Sequence, residues 1–136
     1  MAQLHDQLLA NMHEWLWNEH PETRYMYHAN FNNLPLALES MLPVSVKMRL
    51  MSVIKHIGAV NGVMDAEFYW AGRMYAFDAK VGADRLSKEQ LAFGAALLAQ
   101  GGAFCEIRSL EQFKAEVECI LENGCLTKEL SNVEQA

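Results

Sequence analysis

At Gly62 the chain changes its apolar rhythm, and that change restricts the fold more than any other feature. Residues 64–70 and 73–80 are two strand-like runs separated only by Ala71-Gly72. A two-residue link joins antiparallel neighbours, so the pair predicts a hairpin. What surrounds it reads as helix. Residues 3–19 place Leu4, Leu8, Leu9, Met12, Trp15 and Leu16 on one face at helical spacing. His20-Pro21 ends that helix, because a residue before proline avoids the helical region. The aromatic run Arg24 to Ala29 predicts a short strand, Asn30 to Pro43 an irregular stretch, and residues 45–57 a second helix stopped by Gly58.

After the hairpin, Ser87 opens a third helix with Gln90 three residues on, the pattern of a capping box. Ala92, Gly94, Ala95, Ala96 and Ala99 make that helix small-sided, which suits close packing on a sheet. Gly101-Gly102 closes it, and Ala103 to Ile107 predicts a third strand. Ser109 caps a last helix with Leu110, Phe113, Val117, Ile120 and Leu121 on its inner face. Strands interleaved with helices predict an α/β sandwich with a mixed central sheet flanked by helices. One domain spans residues 1–125, and the polar residues 126–136 read as a disordered tail.

Composition narrows the function classes. At 136 residues and 51% apolar, the chain has material for one packed core. No apolar run approaches the ~20 residues of a membrane span, and no basic patch precedes a long apolar stretch as in a secretory signal. A cytoplasmic protein is expected, with no membrane partner. Cys105, Cys119 and Cys125 are odd in number and form no CxxC pair, so they read as reduced thiols, with Cys105 buried in a strand. The net charge of −6 disfavours nucleic acid at first sight. It is concentrated, however. Residues 111–136 hold six acids against Lys114 and Lys128, a local −4 that leaves −2 for the rest. No acid occurs between Met41 and Met64, where Lys47, Arg49, Lys55 and His56 lie. Phosphate contacts need a local basic strip rather than a basic average.

The residues best suited to chemistry are Asp65, at the start of one hairpin strand, and Asp78 and Lys80, near the end of the other. Alternate side chains of a strand share a face, so Asp78 and Lys80 point the same way and hairpin pairing brings Asp65 beside them. Two carboxylates at one end of a hairpin suit a hard cation such as Mg²⁺, with Mn²⁺ as a substitute, and the Ala79 carbonyl would add a third oxygen. Lys80 would position or deprotonate an attacking water and offset phosphate charge. Taken alone, D…DxK is short and common, and reads more readily as two surface acids with an ion-pair lysine.

The flanking blocks add weight. Gly62-Val63-Met64-Asp65, Asp78-Ala79-Lys80, Gly82, Arg85 to Gln90 (RLSKEQ), Gly101-Gly102 and Arg108-Ser109 follow one another at set spacings. Together they resemble the VRR-NUC branch of the PD-(D/E)xK nucleases, which shows G-V-P-D, a hairpin, E-x-K, a Gly-containing loop, R-L-S-x-x-Q, a helix ending in Gly, a strand, and R-S before a final helix. The resemblance covers residues 58–121 and extends weakly to the first helix and to His28-Ala29-Asn30. It implies a restriction-endonuclease-like fold and a Mg²⁺-dependent DNA endonuclease. Asp65, Asp78 and Lys80 would be catalytic, and Gln90 would point toward the centre. Arg85, Lys88 and Arg108 read equally as DNA phosphate contacts or as solvated loop residues, and Lys47, Arg49 and Lys55 as DNA backbone contacts or, more commonly for such a group, the solvated face of their helix. Stand-alone members are small phage and bacterial proteins that dimerise and act on branched DNA, so a homodimer is expected.

The chain departs from the family in three places. Met64 stands for the proline, and Asp78 for the glutamate of E-x-K. The glutamate on the first helix is missing, where His5 or Asp6 would substitute, His5 pointing inward better. These departures keep open a second reading, a catalytically weak or inactive nuclease-fold module that binds DNA or a protein partner. Other motifs fail. His13-Glu14 lacks the second histidine of HExxH, which position 17 fills with Trp. No serine stands between glycines, and Gly101-Gly102 is not followed by Lys-Ser. Tyr25, Tyr27 and Phe31 suit core packing better than base stacking.

Overall fold

The hairpin forms where the two-residue link demands. In the computed structural model, which describes residues 2–30 and 40–135, β2 (Ala66–Trp70) and β3 (Arg73–Ala79) pair antiparallel, with Ala66 opposite Phe77 and Trp70 opposite Arg73. Ala71 and Gly72 both take positive φ, 50° and 81°, the geometry that matches strand twist in a two-residue turn.

The remaining elements are α1 (Ala2–Glu19), a 3-10 turn (Pro21–Thr23), β1 (Tyr27–Ala29), α2 (Val44–His56), α3 (Lys88–Ala99), β4 (Ala103–Ile107), α4 (Leu110–Asn123) and α5 (Thr127–Gln135). The described residues thus form a mixed α/β fold with a sheet ordered β1-β2-β3-β4. β1 joins β2 antiparallel, and β4 joins β3 parallel. A parallel neighbour needs a crossover, and α3 supplies it.

Strand alternation gives the sheet two apolar faces. Phe68, Tyr75, Phe77, Cys105 and Ile107 pack with Leu8, Met12 and Leu16 of α1 and with Phe113, Val117 and Ile120 of α4. Phe113 stands edge-on to Phe77 with ring centres 5.3 Å apart. On the opposite face Met64 and Ala76 pack with Leu97, Phe93 and Phe104. The small side of α3 has its expected use: a Cβ on Gly94 would lie 2.5 Å from the Phe104 ring. Asp78 and Lys80 continue the series of Ala76, on the face that α3 covers.

Two expectations are corrected. The strand expected over 24–29 begins only at Tyr27. Residues 24–26 turn instead, because Met26 N–H donates to the Thr23 carbonyl and the Arg24 guanidinium folds back onto the Trp17 carbonyl and ring. The tail expected to be disordered carries α5. Leu126 is fully buried, its N–H donates to Glu129, and Glu129 accepts two bonds from Arg73. Thr127 donates through both its amide and its hydroxyl to the buried Glu116. Phe31 and most of the irregular stretch from Asn30 to Pro43 lie outside the described residues. No helix among the described residues is long and apolar enough to cross a membrane.

Candidate active site

The β2–β3 register sets Asp65, one step before Ala66, across from Asp78, one step after Phe77. The Asp65 amide donates to Asp78 Oδ1 at 3.1 Å, and the Ala79 amide donates to Asp65 Oδ2 at 2.8 Å. Each carboxylate is thus held by the backbone beside the other. Asn30 clamps the same turn: its amide donates to the Asp65 carbonyl at 2.7 Å and its side chain to the Met64 carbonyl at 2.8 Å. Gly62 makes the approach possible. With φ at +93°, its Cα lies so close to α3 that a Cβ would fall 2.4 Å from the Glu89 carbonyl oxygen.

Asp78 is almost fully buried. Its Oδ1 also accepts from Gln90 Nε2 at 3.0 Å. Its Oδ2 has Lys80 Nζ at 2.9 Å, yet no hydrogen bond reaches that oxygen. The lysine sits off the bonding direction, so the contact is an ion pair without hydrogen-bond alignment. Lys80 Nζ donates instead to Gln90 Oε1 at 3.2 Å. Gln90 meets both expectations at once. It closes the capping box of α3, its Oε1 accepting from Ser87 N–H at 2.9 Å and its own amide donating to Ser87 Oγ at 3.1 Å. It also orients Asp78 and Lys80.

From the other side of the sheet, α1 brings His5. Its Nε2 lies 3.1 Å from Asp65 Oδ2 and its Nδ1 3.3 Å from Asp6 Oδ1. Burial and the nearby charge of Asp78 push Asp65 up to about 6, against the opposing pull of the Ala79 amide and His5. Burial works to lower the His5 pKa, but the charges and bonds of Asp65 and Asp6 outweigh it and the pKa rises. These directions suit a pair of acids sharing one enclosed site, where two negative charges repel without a cation.

The donor chemistry fits a hard divalent ion: two adjoining carboxylates, one of them with a buried oxygen that no hydrogen bond satisfies. Among the described residues, no three His, Cys, Asp or Glu side chains converge in metal-holding geometry. Here His5, Asp65 and Asp78 adjoin through hydrogen bonds and charge rather than around a common point. Lys80 and Gln90, with Gly62, Ser87 and Glu89, line an open cavity of about 400 Å³, whose walls include neither Asp65 nor Asp78. A cleft of about 480 Å³ at the opposite end of the sheet, between the hairpin tip and the end of α3, holds none of these groups.

The basic residues divide. Arg85 and Lys88 are exposed, in the loop before α3 and in its first turn. Arg108 does structural work: its guanidinium donates to the carbonyls of Gly82 and Asp84 and to Glu106, holding the 82–84 loop. Lys47, Arg49 and Lys55 lie on α2, none of whose residues is buried. Tyr27 packs on Phe68 and Phe113, as expected of a core residue, whereas Tyr25 is exposed. Comparison with protein-family models, curated proteins and solved structures returned no match.

Proposed function

We propose that the chain is a divalent-metal-dependent DNA endonuclease with a restriction-endonuclease-like α/β sandwich, similar to the VRR-NUC branch of the PD-(D/E)xK nucleases. The observation that carries this reading is the single network of Asp65, Asp78, Lys80 and Gln90 at one end of the β2–β3 hairpin. Asp65 and Asp78, with the Ala79 carbonyl, would hold Mg²⁺ or Mn²⁺. Such an ion, when bound, polarises a phosphoryl oxygen and acidifies water.

The chain's own groups supply the rest. Lys80 carries its ammonium at the cavity wall. It would pair with a non-bridging phosphate oxygen and orient the attacking water there. It would act there by charge and hydrogen bonding. Gln90 Oε1 fixes the lysine, and Gln90 Nε2 fixes Asp78. Arg85 and Lys88, both exposed, would meet flanking phosphates, contacts that position a nucleic acid without reading its sequence. A homodimer would supply two such centres for two strands.

The test is cleavage of labelled linear, nicked, flapped and four-way DNA with Mg²⁺ or Mn²⁺, beside Asp65→Ala and Lys80→Ala. Metal-dependent cutting that both substitutions abolish is the expected result. The second reading, a nuclease-fold module that binds DNA or a protein without cutting, is favoured by the net charge of −6 and by Arg108 being tied to its own loop. Under that reading the protein neither cuts nor binds Mn²⁺.

A further inference from the structure

His5 stands beside the carboxylate pair but has no part in the chemistry assigned to Asp65, Asp78 and Lys80. Its ring lies between two acceptors, Asp6 Oδ1 at 3.3 Å from Nδ1 and Asp65 Oδ2 at 3.1 Å from Nε2. An imidazole with its proton on Nδ1 donates to Asp6 and turns the Nε2 lone pair toward Asp65. Two lone pairs that close repel unless a proton or a cation lies between them. Histidines that bind metal are commonly held in this way: a carboxylate on one nitrogen fixes the tautomer, and the other nitrogen faces the ion. The spacing agrees as well. Two adjacent ligand atoms of an octahedral ion with bonds of ~2.1 Å are ~3.0 Å apart. Asp78 Oδ2 is buried and lacks a hydrogen bond, with the Lys80 ammonium beside it at 2.9 Å.

We infer that His5 Nε2 is a direct ligand of the cation held by Asp65 and Asp78, and that it makes the centre favour Mn²⁺ and other first-row transition ions over Mg²⁺. The inference rests on the metal site of the nuclease reading, though not on cleavage. His5 Nε2, Asp65 and Asp78 do not converge on one point in this structure, and holding the ion would draw them together in place of the proton that His5 and Asp65 share. An imidazole nitrogen strengthens binding of transition ions far more than of Mg²⁺, which prefers oxygen. Asp6 acts as a positioning residue by holding the ring.

The test uses the full chain and Mn²⁺ alone. Pulsed EPR of the Mn²⁺-loaded protein is expected to show hyperfine coupling to an imidazole nitrogen, absent in His5→Ala. His5→Ala is expected to weaken Mn²⁺ binding at least ~10-fold, and Asp6→Asn about 10-fold, the usual range for a residue behind a ligand histidine. In Mg²⁺ competition, His5→Glu is expected to narrow the preference for Mn²⁺, since an oxygen replaces the nitrogen. Tight Mn²⁺ binding without nitrogen coupling, unchanged in His5→Ala but abolished in Asp65→Ala, overturns the inference and leaves the carboxylate site standing. Absence of Mn²⁺ binding by the folded wild-type chain overturns both. Thermal melts show which variants fold, and the wild-type coupling depends on no variant.

Discussion

Gln90 ties α3 to Asp78: its Nε2 donates to Asp78 Oδ1 at 3.0 Å while its Oε1 accepts from the Ser87 amide. One side chain therefore serves a helix cap and the candidate centre together. Gln90→Ala removes the reciprocal half of the capping box and leaves a buried carboxylate oxygen short of a donor. A loss of about 1–2 kcal/mol in chemical denaturation is expected. Gln90→Glu keeps an acceptor for Ser87 but sets a third acid against Asp78, so it should retain more of the cap and still perturb the site. Denaturation midpoints of the two variants, beside their Mn²⁺ affinities, separate the roles. Metal affinity that falls only in Gln90→Ala, in step with its lost stability, would show that Gln90 acts through the helix alone.

The acid pair should make the metal-free protein less stable as pH rises. Asp65 titrates near 6 in the folded chain against an ordinary 3.8. The folded state therefore holds a proton that the unfolded state has released, and the slope of stability with pH is negative between those values. The raised pKa of His5 acts in the same direction higher up: its stabilisation is complete below about 6.5 and fades as pH rises through its folded value. The two groups are coupled, so a combined cost on the order of 1–2 kcal/mol between pH 5 and pH 8 is expected. Melting curves without divalent ions check this. Asp65→Asn should gain on the wild type across that window, and an unchanged difference would remove the acid pair as its cause.

Gly62 holds the Asp65 turn against α3, where a Cβ would meet the Glu89 backbone at 2.4 Å from a φ of +93°. Gly62→Ala carries both the left-handed strain and the clash, and neither neighbour is a flexible side-chain end. A destabilisation of about 2–3 kcal/mol is expected. In the folded fraction far-ultraviolet circular dichroism should stay native while Mn²⁺ affinity falls. Gly58→Ala, at a φ of +116° with open space around it, is the control that carries strain without the clash.

What was legible in the sequence follows from what repeats along it. The hairpin, α3 with its capping box, and β4 were readable because periodicity, Gly punctuation and caps agree there. Asp78 and Lys80 share a face by strand alternation, and His5 faces inward by helical angle. The two misreadings came from long-range partners that local pattern does not encode. Residues 24–26 have strand-forming side chains, but Arg24 finds the Trp17 carbonyl. The last residues are polar, but Leu126 finds a fully enclosed place in the core. The role of Asn30 as a clamp on Asp65 also depends on a partner 35 residues away, and only the weak His28-Ala29-Asn30 resemblance pointed to it.

The docked C-terminal helix gives the remaining prediction. Residues 126–136 would be dispensable as a disordered tail. In the structure Leu126 is fully buried, Arg73 of β3 donates twice to Glu129, and Glu116 of α4 satisfies Thr127. Truncation after Cys125 empties the Leu126 site and leaves Glu116, itself nearly buried, without its donors. The combined loss is expected to be about 3–5 kcal/mol, from a vacated leucine site and an unsatisfied carboxylate. Leu126→Ala alone should account for about 2–3 kcal/mol of it. Urea denaturation of the truncated chain and of the point variant measures both. Because α5 lies at the end of the sheet away from Asp65, Mn²⁺ affinity measured at low temperature, where both variants remain folded, should stay at the wild-type value.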